Sequence, residues 1–151
     1  MTKPIHRGDV TNCYFVTTNI NQRKPILSNP GLATKLVDGL YCLREKGRFR
    51  LHAFVVMPDH LHLILSPLAK FEPPSIMHSL KSYTAKALNR EMGTSGKVWQ
   101  DGYYSYAIRG LKDMEEKVRY MWENPLGKGL VNRPENWPFS SANGIYEIDP
   151  W

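Results

Sequence analysis

Two histidines separated by one leucine lie in the strand-like run Met57-Pro58-Asp59-His60-Leu61-His62-Leu63-Ile64-Leu65. Side chains alternate across a β-strand, so His60 and His62 face one side while the leucines face the other, buried side. The two imidazoles then lie about 6.5–7 Å apart along the strand, a spacing that suits two ligands of one divalent ion. The alternative is a pair of solvent-facing or hydrogen-bonded histidines that bind no metal.

Two histidines are an incomplete ligand set for a catalytic metal, so a third ligand must come from elsewhere in the chain. The two cysteines, Cys13 and Cys42, do not have the spacing of a zinc site, and their apolar neighbours predict small buried side chains. An oxygen donor as third ligand would instead favour a harder ion, magnesium or manganese.

A second group of reactive side chains lies on a helix predicted from Asp113 to Asn124. Tyr120 projects about 100° away from the apolar stripe of this helix, and Asn124 follows one turn later on the same side. The phenol and the amide can therefore address one small volume. The alternative is a surface tyrosine and an asparagine that ends the helix before Pro125.

The basic charge of the chain predicts a polyanionic partner. The net charge is +6 and the pI is about 9.4, although charge alone does not separate nucleic acid from an acidic membrane surface. Cations that follow phosphates, interleaved with aromatic rings that stack on bases, are typical of single-stranded nucleic-acid binding. The alternative is an ordinary solvated surface over core aromatics. The candidate DNA-binding residues are Lys81, Lys86, Arg90, Arg109 and Arg119.

The order of predicted elements is strand, helix, strand, strand, helix, strand, helix. The strands are predicted over 12–18, 50–57, 60–66 and 103–108, and the helices over 30–46, 76–90 and 113–124. The first six elements match an α+β, ferredoxin-like (RRM-like) sandwich, a four-stranded antiparallel sheet with two helices on one face. The other face is left for the C-terminal helix that carries Tyr120. Three further tyrosines in the fourth strand, Tyr103, Tyr104 and Tyr106, are expected to pack or stack.

Length and composition predict a single folded domain over residues 1–151. Hydrophobic residues make up 42% of the chain, enough to form a core. The polar N-terminus, residues 1–7, lacks the apolar run of a signal peptide, and the longest apolar runs are too short to span a membrane. A soluble, cytoplasmic protein with no membrane partner is expected.

The chain resembles the single-tyrosine HUH transposases in three segments that follow one another in the family's order. Residues 57–63, 98–104 and 120–126 read MPDHLHL, VWQDGYY and YMWENPL. A fourth segment, NWPFSS at 136–141, is similar to the branch associated with repetitive extragenic palindromes (REP). The likeness runs from about Tyr14 to Ser141.

This resemblance implies cleavage and joining of single-stranded DNA near hairpins through a 5′-phosphotyrosine intermediate. His60 and His62 match the family's metal ligands, for Mg²⁺ or Mn²⁺, and Tyr120 matches its nucleophile. Asn124 matches the position of the third, amide ligand, where some relatives carry Gln. Mobile members of the family are homodimers with composite sites, whereas the REP-associated branch is often monomeric, so the oligomeric state stays open.

Two other classes of function also remain open. One is a non-catalytic ferredoxin-like module that binds single-stranded nucleic acid or hairpins by stacking. The other is a hairpin-binding regulator that has lost turnover. The paired histidines with a helical tyrosine and asparagine favour the transesterase over the first, since stacking requires none of them. Only an activity assay separates the transesterase from the second.

Overall fold

Strands and α-helices alternate along residues 10–151, the part of the chain that the computed structural model describes. In chain order they are β1 (Tyr14–Asn19), α1 (Pro30–Glu45), β2 (Phe49–Met57), β3 (His60–Pro67), α2 (Pro73–Met92), β4 (Tyr104–Ala107) and α3 (Leu111–Gly127). The polar segment 1–7, which the sequence predicts not to be a signal peptide, lies outside the described residues. No helix within 10–151 combines the length and the apolar character that a membrane crossing requires.

The four strands form one antiparallel sheet in the order β2-β3-β1-β4. Only Pro58 and Asp59 join β2 to β3, and so short a connection allows nothing but a hairpin. Helices α1 and α2 pack on one face of the sheet and α3 packs on the other. The ferredoxin-like α+β fold is confirmed, with the Tyr120 helix on the predicted face.

The alternation along β3 determines which way its histidines point. Leu61, Leu63 and Leu65 are fully buried in the core beneath α1 and α2, while Ile64 lies in the second core beneath α3. Burying each leucine contributes roughly 1.5–3 kcal/mol. A slip of one residue would turn all three away from that core, so their burial holds the register that directs His60 and His62 towards α3.

Helix α2 begins earlier than the sequence predicts. It starts at Pro73 rather than Ile76, because its first turn needs no intrahelical N–H partners and so accepts Pro73 and Pro74. Glu72 and Ser75 form the capping box that precedes the helix interior. The proline-rich stretch therefore includes the first turn of α2, although its proline content suggests a loop.

Helix α3 extends beyond its predicted range at both ends. It begins at Leu111, and the Asp113 carboxylate accepts a hydrogen bond from the Arg109 N–H at 2.8 Å instead of capping the helix itself. The helix also continues through Pro125 to Gly127. Pro125 is buried in this last turn, where it lacks the N–H that would continue the helical hydrogen bonds.

The C-terminal segment, residues 137–151, follows the outer edge of β2, although its sequence has no regular period. The Val56 N–H donates to the Phe139 carbonyl at 2.8 Å, and the Asp149 N–H donates to the Leu51 carbonyl at 2.7 Å. These bonds satisfy backbone groups that an edge strand would otherwise expose.

The same C-terminal segment also holds α3 against the sheet. The buried Ser141 hydroxyl accepts from the Trp122 indole N–H of α3 at 2.9 Å and donates to the Phe54 carbonyl of β2 at 3.2 Å. Trp151 is buried in the core beneath α3. The helix that carries Tyr120 is therefore fixed by side chains from well outside its own sequence.

Replacing Gly39 with Ala is expected to destabilise the protein by about 1–3 kcal/mol. Gly39 lies where α1 crosses α2, and a Cβ there would approach Thr84 Cγ2 to 2.8 Å. Gly127→Ala is the matched control, since a Cβ at this helical position would meet nothing within 4 Å. Urea unfolding followed by circular dichroism measures both variants. Equal free energies of unfolding for Gly39→Ala and the unmodified protein would contradict the close crossing.

Candidate active site

The two histidines of β3 lie side by side beneath α3, on the face that their alternation predicts. Both side chains are buried, with 7% of His60 and 5% of His62 exposed. The Nε2 atoms of the two rings are 3.2 Å apart. Two ring nitrogens that converge this closely are placed to bind one ion together.

Hydrogen bonds from the outer ring nitrogens hold both imidazoles in place. His60 Nδ1 lies 2.6 Å from Asp59 Oδ1, and since a carboxylate only accepts, Nδ1 carries the proton and the lone pair of Nε2 faces His62 Nε2. His62 Nδ1 lies 2.7 Å from the Thr17 hydroxyl. A hydroxyl both donates and accepts, so His62 is also able to turn its Nε2 lone pair towards the same point.

Both imidazoles are neutral at pH 7, the form in which histidine binds metals. Burial is the largest cause that lowers the pKa of each ring, and it brings the pKa of His62 to about 3. The positive charges of Arg23 and Lys128 lower the pKa of His60 further, against the opposing effect of Asp59.

Tyr120 projects from α3 beside His62, and the residue is 55% exposed. Its ring centroid lies 5.8 Å from that of His62 and 6.0 Å from that of Phe15, both edge-on. An open cleft of about 510 Å³ adjoins the ring, and it is lined by Phe15, Thr17, His62, Tyr104, Glu116, Lys117 and Tyr120. The phenol is therefore accessible beside the two histidines.

Asn124 lies one turn after Tyr120 on the same side of α3. Lys128 follows one turn further on, just after the helix ends, and its positive charge helps lower the pKa of His60. The Asn124 Oδ1 atom is buried, and no group in residues 10–151 donates a hydrogen bond to it. Such an orphaned oxygen costs about 1–3 kcal/mol, a cost that a bound cation would remove.

The donor types on β3 and α3 fit a divalent metal ion. They are the two imidazole nitrogens, 3.2 Å apart, and the orphaned amide oxygen of Asn124, one helical turn after Tyr120. Within residues 10–151, no three His, Cys, Asp or Glu side chains form a cluster that could hold an ion. An ion held here would therefore need a ligand of another kind, such as the Asn124 amide oxygen.

The predicted DNA-binding residues are divided between the two faces of the sheet. Arg109 lies just before α3 and Arg119 belongs to it. The Arg109 guanidinium lies 5.6 Å from the Tyr106 ring centroid. The other three belong to α2, on the opposite face from Tyr120. One of them, Lys81, donates to the carbonyls of Gln100 at 2.8 Å and Gly102 at 2.7 Å. The three on α2 are Lys81, Lys86 and Arg90.

Arg23 and Lys128 are near the site but were not singled out by the sequence. The Arg23 Nε atom lies 2.9 Å from Asp59 Oδ2, so Asp59 bridges Arg23 and His60. Arg23 reaches it from a turn in which Gln22 and Arg23 both have positive φ angles, 60° and 54°. Neither periodicity nor a motif signals this approach, because it depends on how β1 ends beside the β2–β3 hairpin.

The three tyrosines that the sequence predicts for the fourth strand divide between the two faces of the sheet, and Tyr103 lies just before β4. Tyr103 packs against the core beneath α1 and α2, and Tyr106 packs against the core beneath α3. Tyr104 lines the cleft and is 56% exposed. It is therefore the one tyrosine of this strand that shares the cleft with Tyr120.

Comparison with known proteins agrees with the resemblance drawn from the motifs. Residues 10–124 match the family model of IS200-like transposases. The chain is 29% identical over 145 residues to a REP-associated tyrosine transposase of Escherichia coli (strain K12), covering 90% of this chain and 82% of that relative. It is also similar to the solved structure of a REP-associated tyrosine transposase bound to a REP hairpin. The TM-score is 0.68 at 27% identity, with 100% of this chain and 91% of that one covered.

Proposed function

This chain belongs to the family of IS200-like transposases, which makes it a DNA transposase, and on that premise we propose that it cuts and rejoins single-stranded DNA beside hairpins. Tyr120 is the proposed nucleophile. One observation carries the proposal: the exposed Tyr120 ring lies 5.8 Å from His62, on a cleft open to a DNA strand. A core or structural tyrosine would not be half exposed beside two converging imidazoles.

The proposed first step is a transesterification at one phosphodiester. Tyr120 Oη attacks the phosphorus as the phenolic proton is lost. The bond from phosphorus to the 3′ oxygen breaks, and that oxygen leaves as a 3′-hydroxyl after taking up a proton. The phosphate stays joined to Tyr120 as a 5′-phosphotyrosine. A 3′-hydroxyl that later attacks this ester displaces the tyrosine and rejoins the DNA, so no external energy source is required.

His60, His62 and Asn124 are the proposed ligands of a divalent metal ion, Mg²⁺ or Mn²⁺. When bound, such an ion offsets negative charge on the scissile phosphate. The chain prepares the site in advance, since Asp59 orients His60 so that its Nε2 lone pair faces His62, and Thr17 bonds the outer nitrogen of His62. Binding of the ion would also satisfy the buried Asn124 oxygen.

The proposed substrate is single-stranded DNA that carries a palindromic hairpin. Support comes from the relative bound to a REP hairpin and from the net charge of +6. We propose Arg109 and Arg119 as contacts for the strand at the cleft, since both lie on the α3 side. The three basic residues of α2 would contact only DNA that extends around the sheet to the helix layer.

Adduct mapping tests the proposed function. The full chain is incubated with oligonucleotides that carry candidate palindromes, together with Mg²⁺ or Mn²⁺, then digested and measured by mass spectrometry. The expected result is a phosphotyrosyl peptide that contains Tyr120. A phosphate on Tyr103 or Tyr104 would overturn the nucleophile assignment. Hairpin binding without any adduct would favour the regulator that has lost turnover.

Replacing Asp59 with Asn is expected to weaken Mn²⁺ affinity about 10- to 100-fold, the usual effect of removing the partner of a metal-binding histidine. The amide accepts more weakly from His60 Nδ1 and forms no ion pair with Arg23. Isothermal titration with Mn²⁺ measures the affinity. The matched control is Asp101→Asn, a surface carboxylate paired with Lys97 at 3.0 Å. Equal Mn²⁺ affinities for both variants would contradict the positioning role.

A further inference from the structure

Tyr104 lies at the candidate site but has no role in the proposed chemistry. In the sheet register, Thr17 pairs with His62 on one side and with Tyr104 on the other. Paired residues of neighbouring strands direct their side chains to the same face, so His62, Thr17 and Tyr104 form one row across three strands. The row begins at a proposed metal ligand and ends at an exposed aromatic ring on the edge strand.

Tyr104 and Tyr120 form the exposed rings of the same cleft. Tyr104 is 56% exposed and Tyr120 is 55% exposed. Both stand edge-on to the buried Phe15 ring, with centroid distances of 6.4 Å and 6.0 Å. Phe15 therefore forms the floor, and a flat aromatic surface borders the space beside the reactive phenol.

The cleft is lined by one basic and one acidic side chain, Lys117 and Glu116. The Lys117 ammonium lies 3.2 Å from the Asp113 carboxylate and 4.4 Å from the Tyr106 ring centroid, so its charge is already paired and a DNA contact here depends on the exposed rings. An exposed aromatic ring at a cleft is a feature that holds single-stranded nucleic acid, because a base can stack on it. A cleft of about 510 Å³ is within the range of small-molecule sites and can admit a base.

We propose that Tyr104 stacks on the base of a nucleotide next to the scissile phosphate, and so positions the DNA strand for attack by Tyr120. This inference rests on the proposed function, since it places the base relative to the phosphate that Tyr120 attacks. Tyr104 acts through its ring, and its hydroxyl has no part in the chemistry.

Equilibrium binding measures the stacking without any need for cleavage. The probe is a fluorescent oligonucleotide with a hairpin and oligothymidine flanks, in EDTA, with the full chain. Tyr104→Ala is expected to weaken binding about 5- to 150-fold, the range for losing one base–aromatic stack. Tyr104→Phe keeps the ring and should bind within about twofold of the unmodified protein. Tyr83→Ala, which removes an exposed tyrosine from α2, is the matched control and should bind normally.

A series of single abasic sites along the flanks identifies the stacked base. At one position the missing base should weaken binding by the unmodified protein but not by Tyr104→Ala, because that variant has already lost the contact. Tyr104→Leu, which keeps an apolar side chain at this exposed position, should behave like Tyr104→Ala. Normal binding by Tyr104→Ala would overturn the proposal. So would a loss of affinity at each abasic position that is the same in Tyr104→Ala as in the unmodified protein.

Adduct mapping separates failure of this inference from failure of the proposed function. If no tyrosyl adduct forms while the Tyr104 effect on binding is present, the proposed chemistry is wrong and the stacking site stands as a binding site alone. If the adduct forms on Tyr120 while Tyr104→Ala binds normally, the chemistry stands and the stacking proposal is wrong. A stacked position distant from the mapped scissile phosphate also overturns the positioning role.

Discussion

Tyr120→Phe is expected to abolish the covalent adduct with hairpin DNA while leaving DNA binding within about twofold of normal. The substitution removes only the phenolic oxygen, which is the attacking atom of the proposed step. The ring keeps its edge contacts with Phe15 and His62, so neither the packing of α3 nor the cleft should change. Loss of a nucleophile typically lowers turnover by about 10³-fold or more.

Denaturing gel electrophoresis of the protein–DNA adduct measures this loss, and fluorescence anisotropy measures binding. Tyr104→Phe is the matched control, since it removes a phenolic oxygen from the same cleft and should keep the adduct. An adduct that persists in Tyr120→Phe would show that another tyrosine attacks. If Tyr120→Phe instead loses both adduct and binding, the hydroxyl serves DNA recognition and the nucleophile assignment fails.

Replacing both His60 and His62 with Ala is expected to remove metal-dependent cleavage, with a loss of more than about 100-fold. The rings provide the two converging nitrogens, 3.2 Å apart, and the Asn124 oxygen alone could not hold an ion. Removing the metal with a chelator should reproduce the same loss in the unmodified protein, and added Mg²⁺ or Mn²⁺ should restore activity there but not in the variant.

His78→Ala is the control for this variant, because His78 is an exposed histidine on α2. Adduct formation at increasing Mn²⁺ concentration gives the metal dependence of each protein, and urea unfolding checks that the double variant is folded. The metal hypothesis is refuted if cleavage continues at an unchanged rate in the presence of chelator. It is also refuted if the folded double variant binds Mn²⁺ as tightly as the unmodified protein.

Local periodicity was sufficient to predict the parts of the site that lie on single elements. The two-residue repeat of β3 places the leucines in one core and His60 and His62 on the other face. The helical period of α3 directs Tyr120 away from its apolar stripe, with Asn124 one turn later. Each of these directions follows from the geometry of one strand or one helix.

Contacts between distant segments could not be predicted in this way. The approach of Arg23 to Asp59 depends on how the turn after β1 lies against the hairpin. The path of residues 137–151 along β2 depends on backbone bonds and on the buried Ser141 hydroxyl, and neither leaves a periodic pattern in the sequence. The division of the basic residues between the two faces of the sheet could likewise not be predicted without knowing the face on which α2 packs.

The C-terminal segment along β2 has a consequence for assembly. A sheet grows between molecules when an unpaired strand of one copy meets that of another. Of the two outer strands in the described sheet, β2 already has residues 137–151 beside it, which leaves β4, a strand of four residues, Tyr104–Ala107. Any dimer built by joining sheets would therefore meet at β4, and its seam would run beside Tyr104 and the mouth of the cleft.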